Sequence, residues 1–241
     1  MIVNYTEQGW EIVLQRSHGL LAAQIAIHWQ KALRPERWVE TIIAIADHDD
    51  AQTELEADDL LTEQGGPVNF KMKKFDAEHC RRLHDFSLSK SRYIALLTSI
   101  HMAFLHSAEA ESNPAAKRFL EEEKKLQVKW LKELKITAEE ANKSYGLMEW
   151  CDALSLLLAQ HDLQPEHRVI EVSRGPDDKQ YKLMTKPDGK LTINPWPFED
   201  DSFLLSLECR LLKRLQFNSC RQFKKELQQA MVTEKIWQFE R

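Results

Sequence analysis

Residues 42 to 50, "IIAIADHDD", run from an unbroken apolar segment straight into Asp47, His48, Asp49 and Asp50. Placed on a helix, Trp38, Ile42, Ile45 and Asp49 fall on one stripe, and His48 stands one turn beyond Ile45. The doublet His48-Asp49 therefore sits at the border of a buried face. A surface turn and a metal site both explain such a helix end, and the rest of the chain has to choose between them.

Three further polar residues share that position. His18 opens an apolar helix, His101 lies among Leu97, Ile100, Phe104 and Leu105, and Asp152 is embedded in "LMEWCDALSLLLA" (147–159). A carboxylate held in apolar surroundings must be paired, protonated or ligated, because an unpaired buried charge costs several kcal/mol or more. Something is expected to meet Asp152.

The layout around these residues is uneven. "MIVNYTEQGWEIVLQ" alternates around Gln8-Gly9 and predicts a β-hairpin, after which Ser17 is expected to cap a helix through about Gln30. A second helix is expected from Pro35 to the acidic cluster. Residues 51–74, with "EQGGPVNF" at their centre, predict a loop. Helical periodicity resumes near Asp76 and continues through "SRYIALLTSIHMAFLH" and "KRFLEEEKKLQVKWLKEL", and Thr137 with Glu140 makes a capping box for the helix that carries Asp152. From about His167 the pattern turns strand-like: "RVIEVS", "QYKLMT", "KLTINPW" and "FLLSLECRLLKR". "SCRQFKKELQQAMV" then reads as an amphipathic helix and "KIWQF" as a closing strand. The expectation is a single domain over 1–241, α+β and mainly α. A helical body at 17–162 would be joined by a small sheet formed from the N-terminal hairpin and the C-terminal strands, with 1–15 and 167–241 as the β-rich parts.

Composition excludes more than it identifies. The 241 residues are 43% hydrophobic and 29% charged with net charge −5, which offers no broad pull toward nucleic acid or anionic membrane. The longest apolar runs are too short to span a bilayer, and the first residues lack the basic and apolar regions of a signal peptide, so a cytoplasmic protein is expected. The four cysteines, Cys80, Cys151, Cys209 and Cys220, form no CxxC pair. No P-loop, GxSxG elbow or dinucleotide fingerprint is present.

The order His, then His-Asp, then a distant Asp resembles the HD-domain superfamily of metal-dependent phosphohydrolases, whose helical cores ligate a divalent metal with those residues. That resemblance implies an HD-like bundle, with His18, His48, Asp49 and Asp152 as metal ligands and His101 in the region where some members add histidines. It further implies hydrolysis of a small phosphorylated molecule or nucleotide. A closer resemblance spans nearly the whole chain. "MIVNYTEQGWEIVLQRSHGLLAAQIAIHW", "AIADHDD", "GGPVNF", "LLTSIHMAFL", "WCDALSL" and "INPWPF" are similar to a bacterial family known only as a domain of unknown function. The chain departs from that family's pattern after the doublet, with Ala51-Gln52 where Gly-Trp is expected.

Imidazole and carboxylate ligands without thiolate suit Mn²⁺, Fe²⁺, Mg²⁺, Ni²⁺ or Zn²⁺. On this reading Asp50 would hold or deprotonate a metal-activated water, and Arg81, Arg82, Lys90 or Arg92 would clamp phosphate. The alternative is that the same His and Asp residues bind a metal or ligand without turnover, or form a buried polar network in an interaction protein. Two other His-Asp pairs read more simply. His84-Asp85 suits a surface ion pair beside Arg81 and Arg82, and His161-Asp162 a solvated helix terminus.

Overall fold

The computed structural model describes residues 1–51 and 53–241; Gln52, half of the Ala51-Gln52 departure, lies outside the described residues. The hairpin β1 (Ile2–Thr6) and β2 (Gly9–Val13) turns at Gly9, whose φ of 125° only glycine adopts easily. Five helices of the central body follow α1 (Gln15–Ile27): α2 (Trp38–Asp47), α3 (Ala77–Lys90), α4 (Arg92–Ala110), α5 (Pro114–Leu134) and α6 (Ala138–Ala159). The C-terminal part contributes β3 (Ile170–Arg174), β4 (Gln180–Thr185), β5 (Leu191–Asn194), β6 (Ser202–Leu212), α7 (Cys220–Gln229) and β7 (Met231–Glu240).

All strands join one sheet in the order β1-β2-β6-β7-β5-β4-β3, antiparallel except for the parallel β5–β7 pair. This overturns the expected HD-like helical bundle with a small sheet. The described chain has seven helices and a seven-stranded mixed sheet curled into a half-barrel, at 48% helix and 21% strand. The physical reason lies in β6 and β7. β6 alternates buried Phe203, Leu205, Leu207 and Cys209 with exposed Leu204 and Glu208, and it pairs with β7 along ten residues. That ladder ties β2 on one side to β5 on the other, so hairpin and C-terminal strands become a continuous layer. α1 and α6 pack on this layer, and α2 and α4 pack on those helices, in a common core with Tyr181, Leu183, Leu191, Leu205 and Phe239.

Local boundaries also differ from the sequence reading. Leu14, not Ser17, precedes the first helical turn, and α2 begins at Trp38 rather than Pro35. Ser91 and Asn113 cap α4 and α5 and so divide what periodicity alone runs together. The capping box of α6 is present, with Glu140 reaching back to the Thr137 N–H at 2.7 Å. Met231 and Val232 belong to β7, not to the preceding helix, because cross-strand pairing with Leu211 and Arg210 outweighs local helical pattern.

Candidate metal centre

Two helix crossings bring the polar residues of α1, α2 and α6 together. Gly19 lies against Ala46 so closely that a Cβ there would stand 2.3 Å from the Ala46 carbonyl oxygen. Only glycine permits this approach, and it places His18 in the first turn of α1 beside His48, the C-cap of α2. Asp152 enters from the middle of α6. All three are buried, as is His101 from α4.

The core of the cluster is a triangle. His18 Nε2 is 2.9 Å from Asp152 Oδ1, His48 Nε2 is 3.3 Å from the same oxygen, and the two Nε2 atoms are 3.2 Å apart. Asp49 Oδ2 lies 3.7 Å from His48 Nε2. His101 stacks edge-on against His48, with ring centroids 5.2 Å apart, and its Nδ1 is 3.5 Å from the Tyr145 hydroxyl. Donor atoms of His18, His48 and Asp49, and again of His48, His101 and Asp152, lie within 4.8 Å of one another.

Neighbouring hydrogen bonds determine which nitrogens face inward. His48 Nδ1 donates to the Ile45 carbonyl at 2.7 Å. Ser155 Oγ donates to the Asp152 carbonyl at 2.8 Å and accepts from His18 Nδ1 at 2.8 Å. With both Nδ1 atoms carrying hydrogens, both Nε2 lone pairs of the neutral rings point at each other and at a carboxylate. Three acceptors at such distances repel unless a proton or a metal ion lies among them. This is also how ligating histidines are commonly oriented. Two ligands about 2.1 Å from one ion and at 90–110° to each other stand roughly 3.0–3.4 Å apart, so the triangle has the edges of a coordination polyhedron.

Electrostatics express the same demand. Burial, the largest influence on His48, disfavours its charged form, yet Asp152, Asp49 and the Ile45 carbonyl outweigh it and push the ring up to about 10. Burial likewise opposes the Asp152 charge, but His48 and His18 hold that carboxyl well below its usual range. His101 goes the other way, lowered to about 4 mainly by burial, and is a neutral imidazole at pH 7. Gln15 anchors Asp49 by donating from Nε2 to Oδ2 at 2.7 Å.

The cluster forms the floor of a cavity of about 560 Å³. The segment from Val68 to Asp76, which carries Lys71, Lys73 and Lys74, also lines it, and α3 and α4 add His79 and His106. Cys80 also lines it, but burial pushes the thiol up to about 12, so it is not a thiolate at neutral pH.

The structure thus brings together His18, His48, Asp49, His101 and Asp152. It does not bring Asp50 to them. Asp50 turns to the other side of the α2 end, where its carboxylate is 3.7 Å from Arg16 Nε and its carbonyl accepts from Arg16 Nη2 at 2.6 Å. Arg81, Arg82, Lys90 and Arg92 do not line the cavity either; Lys90 pairs with Asp47 at 2.8 Å and Arg92 with Glu133 at 2.9 Å. His84 leaves Asp85 for a buried partner, Glu123, at 2.9 Å, and His161 ends α6 against Glu11 at 2.6 Å. Sequence reasoning missed Gln15, Ser155 and the three lysines. The run "KMKK" (71–74) was the available signal for the lysines, hidden by its place in a loop.

A family model described as a protein of unknown function, DUF3891, matches residues 1–214. No curated protein and no solved structure matches the chain. No helix among the described residues is long and apolar enough to cross a membrane.

Proposed function

The chain belongs to the DUF3891 family, and from that premise we propose that it is a divalent-metal-dependent hydrolase of a small phosphorylated molecule. The observation that carries this reading is the triangle of His18 Nε2, His48 Nε2 and Asp152 Oδ1, with edges of 2.9–3.3 Å and inward lone pairs fixed by Ile45 and Ser155. A bound dication supplies a water of lowered pKa and polarises a phosphoryl oxygen.

The chain's own residues do the rest. His18, His48 and Asp152 hold the ion, with Asp49 and His101 completing the donor set. One ion fits better than two, because both donor groups share His48 and its only inward nitrogen is Nε2. Lys71 and Lys74, which line the same cavity, offer ammonium groups to phosphate. The acids that share the cavity are held: Asp59 pairs with Lys73, Asp76 accepts from the first N–H groups of α3, and Glu109 accepts from the Phe75 N–H. With Lys73 held by Asp59, Lys71 and Lys74 are the lining ammonium groups left for a phosphate. Asp50 has no part in this arrangement.

A second reading rests on His48. With its ring raised to about 10, a proton alone can bridge the triangle, giving a buried polar network without turnover. Asp152→Asn separates the two. If the ion is bound, the variant stays folded and loses metal and any Mn²⁺- or Mg²⁺-dependent phosphatase or phosphodiesterase activity. If only a proton is held, the variant strands an imidazolium and loses roughly 3–5 kcal/mol of stability. Elemental analysis of untagged wild-type protein showing no bound dication after incubation with Mn²⁺, Mg²⁺ and Zn²⁺ would overturn the hydrolase reading.

A further inference from the structure

We propose that the chain has a second small-molecule site, for an organic anion with a flat apolar body, at the opposite end of the helices that carry the metal-type cluster. The site is a cavity of about 410 Å³ that shares no lining residue with the first. Its volume falls within the roughly 300–1,000 Å³ common for ligand pockets, and its walls have the expected apolar character. Leu147 and Tyr93 form a buried floor, with Ile136 and Pro35 beside them. Gly146 lets the turn at 175–178 lie directly on α6, since a Cβ there would meet Pro176 Cα at 3.3 Å. That contact builds the remaining wall.

Two guanidiniums select the occupant. Arg34 and Arg37 both line the cavity, and each guanidinium is held over an aromatic ring: Arg34 over Trp38 at 4.8 Å and Arg37 over Tyr93 at 5.4 Å. A stacked guanidinium keeps its edge donors and loses little further freedom on binding an anion. Arg34 is fixed by donating Nε to Trp29 O and Nη2 to Ile27 O, and Arg37 by donating Nη1 to Glu40. The lining acids are largely engaged. Glu140 closes the capping box of α6, and Asp177 accepts from the Tyr181 hydroxyl and pairs with Lys179. Lys143 is held by Glu139, so the lining charges balance, and what selects an anion is the geometry of the two guanidiniums: Arg34 Nη1 and Arg37 Nε and Nη2 remain as N–H donors of fixed direction, suited to a carboxylate. An apolar floor and two ordered guanidiniums with remaining N–H donors together describe a site for an aromatic carboxylate.

The test uses 2-naphthoate and its neutral counterpart, 2-naphthalenemethanol, on the full chain, read by saturation-transfer NMR and calorimetric titration. Naphthoate is expected to bind at least roughly tenfold more tightly than the alcohol, a difference of about 1.4 kcal/mol. Arg37→Gln and Arg34→Gln should remove that preference, and Ile136→Trp, which fills the cavity, should abolish binding of both. Asp152→Asn should leave naphthoate binding unchanged, which separates this site from the metal centre. Should an arginine variant fail to fold, Ile136→Trp and the neutral counterpart still decide. Absence of naphthoate binding at millimolar concentration, equal binding of acid and alcohol, retention in Ile136→Trp, or loss in Asp152→Asn protein that circular dichroism shows to be folded would each overturn the proposal.

Discussion

Replacing Gly19 with alanine tests how the two histidines are brought together. In an unconstrained helix this exchange stabilises by about 0.5–1 kcal/mol, because glycine loses more backbone freedom on folding. Here the added Cβ would stand 2.3 Å from the Ala46 carbonyl oxygen, about 1.1 Å inside the 3.4 Å at which ordinary contact begins. The obstructing atom is backbone and cannot rotate away. Helix α1 must therefore move from α2 by about an ångström, and overpacking of this kind costs typically 1–3 kcal/mol. The clash outweighs the helical gain, so the variant is expected to be less stable than wild type. The same displacement would carry the 3.2 Å His18–His48 separation toward 4 Å, past the roughly 3.0–3.4 Å that a shared ion tolerates. Urea denaturation followed by circular dichroism, with calorimetric Mn²⁺ and Zn²⁺ titrations alongside, measures both effects. Gly66→Ala is the control, since a Cβ there meets only ordinary contacts at 3.6 and 3.8 Å. A Gly19→Ala protein as stable as wild type, binding metal equally well, would refute the argument that this crossing assembles the site.

Chelation should lower the melting temperature of metal-loaded protein, with about 2.7 kcal/mol at stake when the free ion is a hundredfold above its Kd, and His48→Ala should remove the sensitivity. Exchanging Lys71, Lys73 and Lys74 for alanine should raise the KM for a phosphorylated substrate while leaving metal content unchanged; equal loss of both would place these lysines outside substrate binding. The His84–Glu123 pair predicts a pH effect away from the centre. Its hydrogen bond to Glu123 raises the His84 ring above its ordinary value, against the opposing effect of burial. A raised folded-state value means that the stabilisation is complete below the unfolded value of about 6.5 and is lost as pH rises through the folded one. The stability gap between wild type and His84→Gln should accordingly be wide at pH 6 and narrow at pH 9, and a gap that widens with pH would contradict the assignment.

The convergence of His18, His48, His101 and Asp152 was legible because each sits within an apolar helical stripe, where burial without a partner is costly. The sequence stated the problem four times, and the structure answers each with the others. Other parts carried no such signal. Ser155 looks like any small residue on α6, and its role as acceptor from His18 Nδ1 depends on the rotation of α6 against α1. The lysines of 71–74 line the same cavity as the cluster because that segment leads from the start of β1 to α3, a path with no local periodicity to announce it. Gly19 reads as an ordinary helix interruption until Ala46 is seen lying on it.

The sheet shows a different gap between sequence and fold. Alternation in "FLLSLECRLLKR" was readable as a strand, but the parallel contact of Leu191 with Phe239 joins residues far apart in the chain, and nothing local encodes it. The ligand order is a separate matter from the architecture. His, then His-Asp, then Asp reflects which helices meet, and α1, α2 and α6 can meet while packed on a seven-stranded sheet as well as inside a helical bundle. The motif therefore carried information about donor chemistry and none about scaffold, which is why the five-residue convergence stands in the structure while the bundle does not. It follows that the hydrolase reading draws no support from fold likeness and depends on three distances, two fixed tautomers and the lysines that line the same cavity.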